Sequence, residues 1–301
     1  MSIGVGRREV IRTLAGIGSW FASPLSAAPD FHTAGTQVLI PFTAVDKHDH
    51  LVDGLAAQDF RLLIDGKEQS ADFFAMEDGP VSLMLVLDAS GSMNRTVTPV
   101  QDAVRRILRS SDSNDEFAVI EFSDQIRLTV DFTRLESRVE SRVREMAHAG
   151  STSFSGAILV ALREMNRVRQ RRRALIVVSD GRDNHSRHVR SEVIQTAVES
   201  DVRIYAIELY PPMGEAFVSP TLLEMLARST GGRYLPTMAR KQIPELIDRI
   251  DIHRNYVLGF TPPVNHRDGR NHSVDLRLRK RSGIPPARLF WKERYRVPAT
   301  H

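Results

Sequence analysis

Hydrophobic and polar positions change their spacing twice along the chain, and these changes divide it into three regions. Residues 36–80 form short apolar runs separated by polar turns, and the Asp65-Gly66 pair is typical of a tight hairpin. Residues 81–254 alternate apolar runs with segments of helical spacing. Residues 255–301 return to short runs in which apolar and polar residues alternate. The pattern predicts a strand-rich segment on each side of a region of alternating strands and helices.

The central region predicts a doubly wound, mostly parallel α/β sheet of Rossmann-like type. Its runs 81–87 and 174–178 are almost wholly apolar, as strands are when helices cover both faces of a sheet. Strands that alternate with helices over so long a region favour this class of fold. Further strands are predicted at residues 116–122, 126–132 and 202–209, and helices at 97–110, 134–147, 156–168, 189–200, 221–229 and 243–253.

We expect the two strand-rich flanks to pair with each other as a small β-sandwich, with the α/β region inserted between them. The predicted domains are an export signal at residues 1–28, N-terminal β-strands at 29–80, the α/β domain at 81–254 and C-terminal β-strands at 255–301. The C-terminal strands are expected to pair with residues 36–80.

The N-terminal segment has the character of an export signal. Arg7, Arg8 and Arg12 precede a moderately apolar stretch that is too short to span a bilayer, and small residues follow at 26–28. The paired arginines resemble a twin-arginine signal, and the twin-arginine and general secretory routes both stay open. The mature protein is therefore expected in the periplasm or outside the cell, with no transmembrane segment.

Composition removes several classes of site. The 301 residues include no cysteine, which excludes disulfides, thiolate zinc sites and a cysteine nucleophile. The formal net charge is only +4, so the balance of charge gives no reason to expect a nucleic-acid partner. The chain also lacks the phosphate-cradling G-x-x-x-x-G-K-[ST] and the nucleophile motif G-x-S-x-G.

Oxygen-bearing side chains follow both apolar runs. Asp88 comes directly after the first run, and Ser90 and Ser92 follow it with Gly91 between them; Ser179 and then Asp180 come after the second run. Ligands of open α/β sheets bind at the carboxyl ends of the strands, so we expect these side chains at one edge. Carboxylates and hydroxyls favour Mg²⁺, Mn²⁺ or Ca²⁺ over zinc or copper.

The sequence DASGS at residues 88–92 resembles the metal-ion-dependent adhesion site of von Willebrand factor A domains. In that family a threonine and an aspartate from two further loops complete the site, and the segments 150–152 and 178–181 match those loops. The resemblance covers residues 81–254. A narrower resemblance, which includes the flanks, is to exported VWFA-related proteins of the acidobacterial type. The resemblance to von Willebrand factor A domains implies that one divalent cation, Mg²⁺ with Mn²⁺ or Ca²⁺ as alternatives, is bound by Asp88, Ser90, Ser92, Thr152 and Asp180.

The resemblance implies a binding module and not an enzyme. The cation would be completed by an Asp or Glu of a protein partner, in adhesion or in assembly of a complex. Two alternatives stay open at this stage. One is a hydrolase that uses the same cation as a Lewis acid. The other is a scaffold whose interactions do not depend on metal.

Other polar residues have simpler interpretations. His48 and His50 are expected in a solvated turn, and His185 and His188 at a solvated helix start, with a place at the rim of the metal site as the alternative. Asp183 is expected to cap the helix that follows it, or to reach the metal through water. The arginine-rich run at residues 167–173 is expected to be a solvated helix end.

Overall fold

The computed structural model describes residues 37–168, 170–183, 189–210, 220–266, 268–280 and 285–296. The predicted export signal, together with Arg169, His185 and His188, lies outside these residues. Among the described helices, none is both long and apolar enough to cross a bilayer.

The chain contains fourteen described strands and six described α-helices. The strands are β1 (Val38–Val45), β2 (Phe60–Ile64), β3 (Lys67–Gln69), β4 (Phe73–Asp78), β5 (Val81–Asp88), β6 (Glu116–Phe122), β7 (Ile126–Thr133), β8 (Arg172–Ser179), β9 (Arg203–Leu209), β10 (Tyr234–Thr237), β11 (Arg254–Phe260), β12 (Asn271–Leu278), β13 (Arg288–Trp291) and β14 (Arg294–Arg296). The helices are α1 (Val97–Arg109), α2 (Glu136–Arg144), α3 (Phe154–Met165), α4 (Arg190–Glu199), α5 (Leu222–Ser229) and α6 (Ile243–Ile247).

A six-stranded sheet in the order β10-β9-β8-β5-β6-β7 forms the centre of the α/β unit. All neighbouring strands are parallel except β6 and β7, which pair antiparallel. This confirms the predicted fold class. β5 is buried along its whole length because alternate side chains enter two cores. Leu83 and Leu85 pack with α1, α2 and α6 on one face, and Met84 and Val86 pack with α3, α4 and α5 on the other.

The strands outside this unit form two four-stranded sheets, in the orders β13-β1-β11-β4 and β14-β12-β2-β3. Their inner faces share one core, in which Phe42, Phe60 and Tyr256 are buried and in ring contact. Strands from before and after the α/β unit pair directly: β1 with β11, β4 with β11, and β2 with β12. The α/β unit therefore lies, in sequence, between two strands of one sheet, β4 and β11.

Two of the local predictions in these regions were wrong, and one strand was missed. The last helix, expected over residues 243–253, is α6 and ends at Ile247. β10, a short edge strand with Pro236 inside it, was not predicted. Arg172, expected in a solvated helix end, lies in β8 with its side chain only 13% exposed and 3.7 Å from a carboxylate oxygen of Glu77.

Candidate metal centre

The candidate centre lies where the chain changes direction across the sheet. From β5 the chain continues through α1 to β6 on one side, and it later enters β8 on the other side of β5. α1 covers one face of the sheet and α4, which follows β8, covers the opposite face. The loops after β5 and β8 therefore diverge at adjacent strand ends, which leaves the crevice in which α/β proteins bind ligands.

Asp88, the last residue of β5, is only 2% exposed, and both of its carboxylate oxygens accept hydrogen bonds. The backbone N–H of Ser90 donates to Oδ1 over 2.9 Å, and the hydroxyl of Ser179 donates to Oδ2 over 2.6 Å. Burial raises the pKa of Asp88; the bonds from Ser179 and Ser90 oppose the rise, and the nearby charge of Asp180 adds to it. The carboxylate is thus fixed in orientation, with lone pairs left for a cation or its water.

Ser90 and Ser92 hold their hydroxyl oxygens 3.1 Å apart. The spacing arises because the chain turns at Ser90 into a short 3₁₀ helix, Gly91–Thr96, which leads directly into α1. Ser90 is 2% exposed whereas Ser92 is exposed, so the pair reaches from the buried Asp88 toward the surface. The structure therefore brings together two hydroxyl donors that the sequence predicted as metal ligands.

Thr152 is 3% exposed in the loop that precedes α3. Two backbone hydrogen bonds attach this loop to the one after β5: Gly91 N–H donates to Gly150 O over 3.3 Å, and Ala149 N–H donates to Ala89 O over 2.9 Å. No direct hydrogen bond from Thr152 to the serines is present in the described part of the chain. The backbone contacts nevertheless fix the threonine loop against the serine loop.

Asp180 follows β8, beside Ser179, and is 9% exposed. Its Oδ1 accepts the backbone N–H of Arg182 over 3.2 Å, and the Arg182 guanidinium lies 3.6 Å from Oδ2. The arginine side chain is 66% exposed, so solvent screens this ion pair. Because Ser179 donates to Asp88, the end of β8 is coupled directly to the end of β5.

Asp183 occupies a place that the sequence reasoning did not assign. Its Oδ2 accepts the backbone N–H of Ser155 over 3.1 Å and the Ser155 hydroxyl over 2.5 Å. Ser155 lies in the first turn of α3, so Asp183 caps α3, whereas the sequence predicted a cap on the helix that follows Asp183. This bond joins the aspartate loop to the threonine loop, and all three loops are thereby connected.

Two buried residues that support the site were missed. Ser179 is fully buried and positions Asp88, and Glu208 lies beneath the Asp180 loop, where it accepts hydrogen bonds from Thr221 over 2.7 Å and Tyr234 over 2.5 Å. Burial raises the pKa of Glu208, and these two bonds oppose the rise. Ser179 stands next to Asp180 in the sequence, and that adjacency was the available signal; nothing in the sequence relates Glu208 to the site.

The donor set fits a hard divalent cation. Two carboxylates and three hydroxyls come from three connected loops, and no nitrogen or sulfur atom is among the five proposed ligands. The carboxylates of Asp88 and Asp180 are both buried, and the charge of Asp180 disfavours the charged form of Asp88. A cation between such groups removes that repulsion.

Comparison with known protein families agrees with the α/β fold described above. Residues 83–182 match the von Willebrand factor type A domain. The matched range includes all five predicted ligands. A search of curated proteins gave no match to the chain.

Solved structures resemble the chain at low sequence identity. A von Willebrand factor type A protein from Catenulispora acidiphila is 14% identical with a TM-score of 0.50, over 80% of this chain and 74% of that one. Proximal thread matrix protein 1 from the mussel byssus is 15% identical with a TM-score of 0.52, over 63% of this chain and 51% of that one. At such identities the likeness supports the VWA fold alone.

Proposed function

We propose that this chain is a protein-binding module whose VWA domain holds one divalent cation, Mg²⁺ in the first instance, and does not catalyse a reaction. Asp88, Ser90, Ser92, Thr152 and Asp180 would hold the ion, directly or through water. The observation that carries the proposal is the hydroxyl pair of Ser90 and Ser92, 3.1 Å apart beside a buried and oriented Asp88.

The partner proposed for this site is a protein that presents an Asp or Glu side chain. Three of the five ligands are neutral hydroxyls, so a bound ion would supply an electrophilic position open to one more anionic oxygen. The exposed Ser92 lies on the solvent side of the site, and the Arg182 guanidinium next to Asp180 is a second positive group within reach of the same edge. Both features favour an acidic group arriving from outside.

We also propose that the protein acts outside the cytoplasm, in adhesion or in assembly of an envelope complex. This rests on the arginines and the apolar stretch of residues 1–28. The β-sandwich at residues 38–78 and 254–296 would then present the VWA domain to its partner.

The test compares Asp88→Ala with Asp102→Ala, a partly exposed aspartate on α1 that pairs with Arg105 over 2.7 Å. For the wild type and Asp102→Ala, Mg²⁺ at 100 times its dissociation constant is expected to raise the free energy of unfolding by about 2.7 kcal/mol. For Asp88→Ala, urea unfolding with Mg²⁺ and with chelator is expected to coincide.

Partner capture separates the alternatives. Proteins that copurify from the native host in Mg²⁺ should elute with chelator and should not bind Asp88→Ala. Capture that survives both the chelator and the substitution would instead show a metal-independent scaffold. Turnover of phosphoesters or peptides that disappears in Asp88→Ala would show a hydrolase.

A further inference from the structure

A second group of metal-ligating side chains lies in the β-sandwich, outside the VWA domain. Asp65 occupies the turn after β2, His272 lies on the neighbouring β12, and His266 ends a short 3₁₀ helix, Val264–His266. One potential ligand atom from each residue lies within 4.8 Å of the other two. Among the described residues, no other group of three or more His, Cys, Asp or Glu side chains has metal-binding spacing.

The ligand atoms converge on one carboxylate oxygen. Oδ2 of Asp65 lies 2.8 Å from Nδ1 of His272 and 3.9 Å from Nε2 of His266. The two imidazole rings are stacked, with centroids 4.0 Å apart and planes within 5° of parallel. Such close imidazoles repel each other when both are protonated, so a shared cation is a natural partner for them.

Each histidine is held by its other ring nitrogen. Nε2 of His272 lies 3.2 Å from Oδ1 of Asp268, and Nδ1 of His266 lies 2.8 Å from the hydroxyl of Tyr295. Tyr295 is itself 4% exposed and packs edge-on against Phe260. Metal-binding histidines are oriented in this way, because an acceptor on one nitrogen fixes the tautomer that leaves the other free to bind.

We propose that Asp65, His266 and His272 form a binding site for a divalent transition metal such as Zn²⁺. The set of two imidazoles and one carboxylate is typical of zinc and differs from the all-oxygen set of the VWA site. The metal would replace the proton between His272 and Asp65, and the stacked rings would tilt toward each other to share it. A fourth position would face solvent, since the side chain of Asp65 is 42% exposed.

A metal here would join parts of the sandwich that are distant in sequence. Asp65 closes the β2–β3 hairpin and His266 lies between β11 and β12, while β12 pairs with both β2 and β14. The proposed role of the metal is to hold together the end of β2 and the start of β12 in the β14-β12-β2-β3 sheet. The inference does not depend on the function proposed for the VWA domain.

The test uses the untagged full chain carrying Asp88→Ala, so that the VWA site does not contribute. Co²⁺ is the probe, because its visible absorption reports nitrogen and oxygen coordination, and Zn²⁺ is then added as a competitor. One equivalent of Co²⁺ is expected to bind and to be displaced by Zn²⁺. Adding His272→Gln or His266→Gln should abolish the absorption, and adding Asp268→Asn should weaken Co²⁺ binding about tenfold or more.

The matched control is His50→Gln, because His50 is a histidine of the same sandwich with its side chain 80% exposed. This variant should bind Co²⁺ as the Asp88→Ala chain does. Absence of stoichiometric Co²⁺ binding in the Asp88→Ala chain would overturn the proposal. So would binding that is unchanged by both His266→Gln and His272→Gln, with circular dichroism verifying that each variant is folded.

Discussion

Gly181 has a backbone conformation in the candidate site that residues other than glycine rarely adopt. It follows Asp180 with φ of +71°, and a Cβ built there would lie 2.3 Å from Oε1 of Glu208. The glutamate cannot move aside without cost, because its other oxygen accepts the hydroxyls of Thr221 and Tyr234. The Asp180 loop is therefore shaped by a contact with a residue distant in sequence.

We expect Gly181→Ala to lower the free energy of unfolding by about 3 kcal/mol, from a left-handed backbone cost of about 1 and an overpacking cost of about 2. Gly66→Ala is the matched control, since Gly66 has φ of +77° and nothing within 4 Å of its added Cβ. It should lose about 1 kcal/mol. Urea unfolding of both variants measures the difference, and equal losses would contradict a clash with Glu208.

At the same scale, the sequence predicted the candidate metal ligands but not the residues that hold those ligands in position. Asp88 and Asp180 stood out because each follows an apolar strand, and the hydroxyl pair after Asp88 needs only local sequence. Their assignment as metal ligands stays a prediction. Ser179 and Glu208 support these loops through contacts between strands, and such contacts have no local signature.

Among the elements, the turn between β1 and β2 makes buried contacts that its polar sequence does not suggest. Asp49 in this turn has a side chain only 9% exposed and accepts hydrogen bonds from Arg233, over 2.5 Å, and from Arg288. Arg233 is 4% exposed and precedes β10, so the turn joins the sandwich to the edge of the six-stranded sheet. Burial lowers the pKa of Arg233, and Asp49 opposes this.

We expect Asp49→Asn to lower the free energy of unfolding by about 3 kcal/mol, because it leaves the buried Arg233 without a countercharge. Asparagine is chosen because Asp49 has φ of 69°, which asparagine tolerates. The control is Asp53→Asn, whose side chain is 62% exposed and pairs with Arg254 over 3.4 Å. An exposed pair of this kind is worth about 0–1 kcal/mol. A urea-unfolding loss for Asp49→Asn no larger than for Asp53→Asn would contradict the coupling.

The type of an element could be predicted where its sequence pattern is long. The boundary of an element could not be predicted where hydrogen bonds outside that pattern set it. β5 and β6 follow their predicted ranges closely because an apolar run and its flanking turns define each strand. The last helix ends early because, after Ile247, the N–H groups of Arg249 and Ile250 donate to the carbonyls three residues back, and Asp251 then accepts the backbone N–H groups of His253 and Arg254. β10 is four residues long and contains a proline, so its pattern is too short to detect.

At the scale of the whole molecule, the chain crosses between the β-sandwich and the α/β unit twice, and the two crossings meet at one ion pair. Asp115, before β6, accepts the backbone N–H of Val81 at the first crossing over 2.8 Å. Its other oxygen lies 2.7 Å from Nε2 of His253 at the second crossing. The side chain of Asp115 is fully buried and that of His253 is 21% exposed, so solvent screens the pair only in part.

The pair shifts the pKa of each group in the direction that favours its charged form. The hydrogen bond that His253 donates to Asp115 raises the pKa of His253 above its usual value, against the effect of burial. Burial alone would raise the pKa of Asp115, but bonds from His253 and from the backbone N–H groups of Val81 and Asp112 lower it. The histidine's contribution is complete below its unfolded pKa of about 6.5 and is lost as pH rises through its folded pKa. The aspartate's contribution is present above its unfolded pKa of about 3.9 and is lost as pH falls through its folded pKa.

We therefore expect His253→Gln to lower the free energy of unfolding by about 2 kcal/mol near pH 5.5, where both groups of the wild-type pair are charged. The deficit should shrink as pH rises past the folded pKa of His253, because a neutral imidazole donates only an ordinary hydrogen bond, as glutamine does. Urea unfolding of both proteins from about pH 5 to pH 9 measures the difference, in which all other titrating groups cancel. A deficit that stays constant over this range would show that His253 packs at the junction without carrying charge.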